Sequence, residues 1–293
     1  MSWKKQLARA YRRIAGPKPQ LQPLPVSRAT GLPQTPNRYF YLGSDLALVR
    51  LDSGPLLYVD PLDAQVSANI IAHGHWEMWI HNAILRLLQP GARVVEVGAN
   101  VGYYTMVMAH HVGEKGHILS FEANPRLASL VRRSANLNGF GSRVHVLQKA
   151  AADKNVELEF MVSRHNSGGG YISVGGANPY EDGETLRVEG VRLDDLDLGP
   201  IDMIRMDAEG SEPLILEGAQ KTLDANPKVI LCMEWDIVQM NSRVSVPEFA
   251  RQLSEKGFKF WRIQFDSSLA PVTGEELPFI DHCDIVACRH PLA

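Results

Sequence analysis

The sequence predicts a doubly wound α/β domain, a largely parallel sheet with helices on both faces, preceded by an N-terminal extension. Three observations carry this. Val94-Val95-Glu96-Val97 is an apolar, β-branched run that breaks into Gly98-Ala99-Asn100-Val101-Gly102 and then Tyr103-Tyr104-Thr105. That is the pattern of a buried strand, a tight glycine turn and the first turn of a helix. Short apolar runs then alternate with amphipathic stretches, as in parallel strands joined by right-handed crossovers. The second run, Ile118-Leu119-Ser120-Phe121, closes on a carboxylate, Glu122, where an open α/β sheet presents its ligand groups.

Taken in order, residues 1–44 contain no Asp or Glu, and Lys4, Lys5, Arg9, Arg12 and Arg13 crowd their start. Trp3, Leu7, Tyr11 and Ile14 share one helical face. Two readings of residues 1–16 stand. A solvated helix that packs on the domain or on another subunit of a homo-oligomer is the ordinary outcome. A helix lying on an anionic membrane is the other, and the segment superficially resembles a transit peptide. Pro17, Pro19, Pro23, Pro25, Pro33 and Pro36 make the next segment an extended linker. Residues 45–74 are expected as a β-hairpin lead-in, with runs at 47–51 and 55–59 around the turn Asp52-Ser53-Gly54.

The main domain is expected over residues 75–293. A helix over 78–88 stops at Pro90-Gly91. Strand 93–97, helix 103–111, strand 117–121, helix 125–138 and strand 144–148 follow. Asn124-Pro125 is a cap and a first helical residue, and Asn138-Gly139 is a normal stop. Strands 156–162 and 185–193 should pair around a Gly-, Ser- and Asn-rich stretch, 163–184, that holds Gly168-Gly169-Gly170. A loop of that length is usually functional or disordered, and it is expected to face the substrate. Strand 201–206, helix 213–226, strand 228–233, helix 246–256 and strand 259–263 continue the pattern, and 284–288 fits an antiparallel hairpin closing the sheet.

Composition sets outer bounds. The 293 residues are 45% hydrophobic and 22% charged, ordinary for a globular protein, and the net charge of −3 argues against broad nucleic-acid binding. Cys232, Cys283 and Cys288 form no disulfide framework and no zinc spacing. A reducing cytoplasm is the simplest compartment, with contact to the inner face of a membrane if residues 1–16 bind one. No apolar run approaches the ~18 residues that a membrane-spanning helix needs.

The glycine loop disfavours one cofactor class. A dinucleotide fingerprint needs glycine at the first, third and sixth loop positions, but counting from Gly98 these are Gly98, Asn100 and Tyr103. Glu96, two residues before the first glycine, would repel a phosphate yet suits an amino group or a sulfonium. Glu122 can accept hydrogen bonds from both hydroxyls of a ribose.

These segments resemble the S-adenosylmethionine-dependent methyltransferases, and more narrowly the FkbM family. The resemblance rests on the GANVGYYT run from Gly98 and on Phe121-Glu122-Ala123-Asn124-Pro125, where the usual family form is F-E-P-N-P. A third match is Asp207-Ala208-Glu209-Gly210-Ser211-Glu212, followed by Leu216-Glu217-Gly218-Ala219, and the likeness covers about residues 75–290. It implies a Rossmann-like, seven-stranded sheet and S-adenosylmethionine as cofactor. The Gly98–Gly102 loop, with Glu96 and Asn100, would hold the amino acid end, and Tyr103 and Thr105 begin a helix whose N–H groups favour a carboxylate. Glu122 and Asn124 would serve the ribose, Ala150 and Ala151 would leave room for adenine, and Asp153 would bond the adenine amino group.

The family implies transfer to a hydroxyl of a sugar, glycolipid or polyketide-like small molecule. Nitrogen or protein acceptors and a non-catalytic scaffold stand as alternatives. A hydroxyl nucleophile needs a base, and the candidates are Asp207 and Glu234 at strand ends and His75 before the domain. Asp207, Glu234 and Asp236 could gather Mg²⁺, but no spaced ligand motif supports a metal.

Overall fold

The computed structural model describes residues 38–175 and 183–292. The expectations for residues 1–16 and for the proline-rich linker lie outside the described residues, as does the 176–182 part of the glycine-rich stretch.

The chain opens with an antiparallel meander, β1 (Tyr39–Gly43), β2 (Leu46–Arg50) and β3 (Leu56–Val59). The sequence reading found the β2–β3 hairpin but missed β1, whose aromatic side chains are exposed and lack alternation. It also missed α1 (Val66–His73), which is short and has no side-chain cap at Gln65. Helix α2 (Met78–Leu87) then leads into the alternating core.

That core is β4 (Arg93–Val97), α3 (Tyr103–Val112), β5 (His117–Phe121), α4 (Pro125–Leu137) and β6 (Val144–Leu147). It resumes with β11 (Met203–Met206), α5 (Glu212–Glu217), α6 (Gln220–Ala225), β12 (Ile230–Asp236), α7 (Ile237–Met240), α8 (Val246–Glu255), β13 (Lys259–Ile263), β14 (Leu269–Val272) and β15 (His282–Cys288). The sheet order is β14-β13-β15-β12-β11-β4-β5-β6. The five strands from β12 to β6 are parallel and the remaining three antiparallel. This is the Rossmann-like α/β class expected, with eight strands rather than seven. The extra one is β14, in a stretch that reads as loop because Pro271 interrupts its alternation. The 213–226 helix divides in two at Gly218, where a Cβ would sit 2.0 Å from the Ala152 carbonyl oxygen.

Strands β4 and β11 bury both faces. Val94 packs with α2, α3 and α4, while its neighbour Val95 packs with α5 and α8 on the other side. Strand β3 rides on α4: the Tyr58 N–H donates to Ser134 Oγ, and the Asn138 side chain bonds both backbone groups of Leu56. Asn138 is thus a clamp as well as a helix stop. Between β6 and β11 a second sheet forms from β7 (Ala150–Ala151), β8 (Glu157–Val162), β9 (Tyr171–Ile172) and β10 (Glu184–Val191), ordered β7-β10-β8-β9. Strands β8 and β10 pair antiparallel from Glu157↔Glu189 to Val162↔Glu184.

The chain runs from β4 outward to β6, then returns to β11 on the other side of β4. The crevice at such a reversal is where open α/β sheets bind ligands. Val97 pairs with Phe121 and with Met206, and Met206 with Met233. Gly98, Glu122, Asp207 and Glu234 therefore leave that row side by side.

Candidate active site

A cavity of about 450 Å³ occupies this crevice. Its floor is the glycine loop. Gly98, Asn100 and Gly102 all have positive φ, at 82°, 53° and 92°. Gly98 is compulsory, since a Cβ there would lie 1.8 Å from the Asp207 carbonyl oxygen. The left-handed Asn100 is held by its own N–H, which donates to Glu122 Oε2 at 2.7 Å. The other oxygen of Glu122 accepts from the Asn124 N–H at 2.8 Å. Burial pushes the Glu122 carboxyl up to about 7, against the pull of these two backbone bonds. Each oxygen keeps acceptor capacity for one more donor. Asn124 itself caps α4, its Oδ1 accepting from Arg126 N–H.

Of the sequence-derived cofactor residues, Gly98, Asn100, Tyr103, Glu122, Asn124, Ala150 and Ala151 line the cavity. Glu96, Gly102, Thr105 and Asp153 are not among its lining residues. The Glu96 carboxylate is fully buried and accepts from Thr105 Oγ1 and Ser120 Oγ, so Glu96 and Thr105 form a polar cluster of their own. Gly102 faces the Val131 side chain, at the start of α3. Asp153 pairs with Lys154 at 3.2 Å. His75 is likewise outside the cavity lining, because it follows the left-handed turn at Gly74 and pairs with Asp52 at 2.8 Å.

The far end is rich in carboxylates. Asp207 is bound by Arg205 at 2.8 Å. The buried Arg205 guanidinium also donates to the Gly98 carbonyl oxygen and stacks over the Tyr104 ring, 4.1 Å from its centroid. Glu234 accepts from His282 Nε2 at 3.0 Å through Oε1, while its Oε2 is buried with no hydrogen bond among the described residues. Burial raises the Glu234 carboxyl; the bond to Glu234 raises the His282 imidazole to about 9. Glu77 accepts from Tyr104 Oη at 3.3 Å and is pushed up to about 7 by burial and then by Asp207. Glu209, at φ 51°, accepts from Gln239 and is raised to about 8 by burial and then by Glu234. Burial also raises Asp284, on the neighbouring strand, well above the usual carboxylate range. Among the described residues no group of three or more His, Cys, Asp or Glu side chains is arranged to hold a metal ion.

Sequence reasoning missed Glu77, Arg205 and His282. Arg205 left a signal, a lone charge in the apolar strand Met203-Ile204-Arg205-Met206. Glu77 and His282 left none, because each is an ordinary polar residue until the fold brings it to Asp207 or Glu234.

Comparison with known proteins names the family. The Methyltransferase FkbM domain model matches residues 96–260, more than half of the 293-residue chain. A curated protein-L-isoaspartate O-methyltransferase of Hyperthermus butylicus is 39% identical over 67 residues, 20% of this chain and 28% of that one. Another, from Methanothrix thermoacetophila, is 45% identical over 47 residues, 16% of this chain and 22% of that one. The chain spans about a quarter of the length of these curated relatives. Among solved structures, the FkbM methyltransferase of Methylobacillus flagellatus covers 68% of this chain and 44% of its own at 16% identity and a TM-score of 0.43. An O-methyltransferase from Bacillus cereus in complex with SAH covers 75% and 84% at 15% identity and 0.42. Structural likeness this weak adds nothing to the family assignment. The family match is sufficient by itself, and the chain belongs to the FkbM methyltransferases.

The cofactor that goes with this family is S-adenosylmethionine, and the cavity residues fit it. Glu122 offers two acceptor oxygens to a ribose, Ala150 and Ala151 leave space for a base, and the carboxylate-rich end suits a sulfonium.

Proposed function

We propose that this protein transfers a methyl group from S-adenosylmethionine to an acceptor hydroxyl, on a sugar, glycolipid or polyketide-like small molecule. The observation that carries the cofactor half is Glu122, fixed by two backbone N–H groups at the cavity floor. When bound, the cofactor supplies a methyl carbon made electrophilic by the adjoining sulfonium. The acceptor oxygen attacks in line: the O–C bond forms, the C–S bond breaks, and one proton leaves the hydroxyl. Alignment of the two reactants supplies much of the rate.

Glu234 is the better proton acceptor of the two carboxylates. Asp207 is already neutralised by Arg205, whereas Glu234 lines the cavity beside an imidazole that can pass a proton on. Taking the acceptor's proton makes Glu234 neutral and removes the charge that holds His282 protonated. His282 is exposed enough to release a proton to water, its side chain being 59% accessible. One proton thus leaves for each methyl transferred. Asp207 and Arg205 then act as a rigid wall that fixes the glycine loop.

A second reading has its own observation. Glu77, Asp207, Glu209 and Glu234 line the cavity, where Arg205 is paired with Asp207 and His282 with Glu234, and this excess of carboxylates favours an acceptor bearing an amine. Nitrogen or protein methylation follows from that, and the matched stretches of protein-directed O-methyltransferases are in keeping with a protein acceptor.

Calorimetric binding of S-adenosylmethionine to wild type and Glu122→Ala tests the cofactor half. Loss of both ribose acceptors should weaken binding by ~100-fold or more. Equal affinities would remove Glu122 from the site. Mass-spectrometric screening of alcohols against matched amines then separates the two acceptor readings.

A further inference from the structure

The cavity has a roof made of two segments far apart in sequence, and one carboxylate ties them together. Gln65 and Val66 contribute from the chain entering α1, and Ser167, Gly168 and Gly169 from the loop between β8 and β9. Asp63 is fully buried between them. Its Oδ1 accepts from the Gln65 N–H at 3.2 Å and from the Ser167 N–H at 3.1 Å. Its Oδ2 accepts from the Ser67 N–H at 2.7 Å and from Ser167 Oγ at 2.7 Å. Each oxygen therefore holds one donor from either segment. Two further contacts flank the joint, a backbone bond from Ala64 N–H to the His165 carbonyl at 3.0 Å and a contact of the His165 ring with the Leu62 carbonyl at 3.1 Å.

The same entering segment is fixed at its other end. Asp60, also fully buried, accepts from the Leu62 N–H and pairs with the Arg126 guanidinium. Arg126 lies in the first turn of α4, just after the Glu122-Ala123-Asn124 segment. Residues 60–67 thus bridge the helix behind Glu122 to the loop over the cavity. Asp60 holds the bridge to the rigid core, and Asp63 holds the loop to the bridge.

We propose that Asp63 is a positioning residue for the cofactor: it latches the loop around Ser167 over the cavity and so sets how long S-adenosylmethionine stays bound. This rests on the cofactor reading above. The latch suits a closure that must open. It consists of four hydrogen bonds to neutral donors, and two of these come from one serine. Releasing Ser167 costs Asp63 two partners but leaves Gln65 and Ser67 in place. Three consecutive glycines, Gly168 to Gly170, let the loop swing once freed.

The test uses two variants of the full chain. Asp63→Asn cannot accept at both atoms, so it loses about half the bonds and sets an N–H₂ against backbone donors. Ser167→Ala removes one bond and leaves the carboxylate, which keeps the test open if the first variant folds poorly. Two readouts are taken, amide hydrogen exchange without ligand and the dissociation rate of S-adenosylmethionine. Exchange at residues 163–170 should rise in both variants while amides of β4 and β5 stay unchanged. The dissociation rate should rise about tenfold in Asp63→Asn and about threefold in Ser167→Ala. Wild-type exchange at 163–170 in both variants would overturn the latch. Faster exchange with unchanged dissociation would overturn its role in cofactor residence. A wild-type chain that binds no S-adenosylmethionine, with exchange raised in both variants, would sink the cofactor reading and leave the latch standing.

Discussion

The two ends of the cavity are built on different principles. At the proposed ribose end a side chain is aimed by backbone: Glu122 is gripped by the N–H groups of Asn100 and Asn124, and close-packed glycine sets the floor. At the proposed acceptor end side chains aim one another: Arg205 holds Asp207, His282 holds Glu234, and Tyr104 holds Glu77. Backbone grips depend on local φ and ψ and tolerate little change. Side-chain grips depend on charge and can be retuned one residue at a time.

Gly98 is where the ends meet, so changing it should do the most damage. Gly98→Ala sets a Cβ against the Asp207 carbonyl and keeps a left-handed residue at that point. A loss of about 3 kcal/mol or more in denaturant unfolding is expected, with cofactor binding lost. A stable variant that still binds would show that the ends move independently.

Next in size is a pH effect that separates the two ends. S-adenosylmethionine and S-adenosylhomocysteine share the ribose, but only the first carries the sulfonium charge. Hydroxyls donate best to an ionised Glu122, whose carboxyl loses its proton near pH 7. Both ligands should therefore bind more tightly as pH rises from 6 to 8, by up to about tenfold. Glu77 and Glu209, near 7 and 8, ionise over the same range, so the charged ligand should gain more. Parallel calorimetric titrations read both slopes. Identical slopes would mean that the carboxylates of the far end do not sense the sulfonium.

The smallest effect is confined to the acceptor end. In Glu234→Gln, His282 loses the partner that raises it, and its titration should fall from about 9 toward the ordinary 6.5. Ring NMR measures this directly. The sign carries over to stability: a raised histidine stabilises the folded chain below its unfolded value, and that contribution fades as pH climbs through about 9. The variant should lack this fade, and the ribose end should titrate unchanged.

The same contrast decides what could be read from the sequence. Strand, glycine loop and Glu122 lie within one contiguous stretch, so spacing alone located them, and the alternating core followed from apolar runs. Glu96 was misplaced because its spacing from Gly98 is right, yet Ser120 and Thr105 capture its carboxylate. His75 lies outside the cavity lining because its partner, Asp52, sits in the turn between β2 and β3, which no local pattern links to it. Arg205 and His282 converge only through register, since β15 pairs beside β12 and β11 beside β4, and Glu77 joins them only because α2 begins beside Tyr104. Strand β14 was lost to its proline, and α1 to its missing cap.

The position of β15 has a bearing on biosynthesis. Among the described residues it is the last strand in chain order, yet it lies inside the sheet, between β12 and β13. Until residues 282–288 emerge, β12 has an open edge with Cys232, Met233 and Trp235 beside it, a template for aggregation. The glycine loop and Glu122, by contrast, are complete more than a hundred residues earlier. Pairing of β15 with β12 closes that edge and in the same step brings His282 to Glu234, so sealing the sheet and completing this side-chain pair are one folding event.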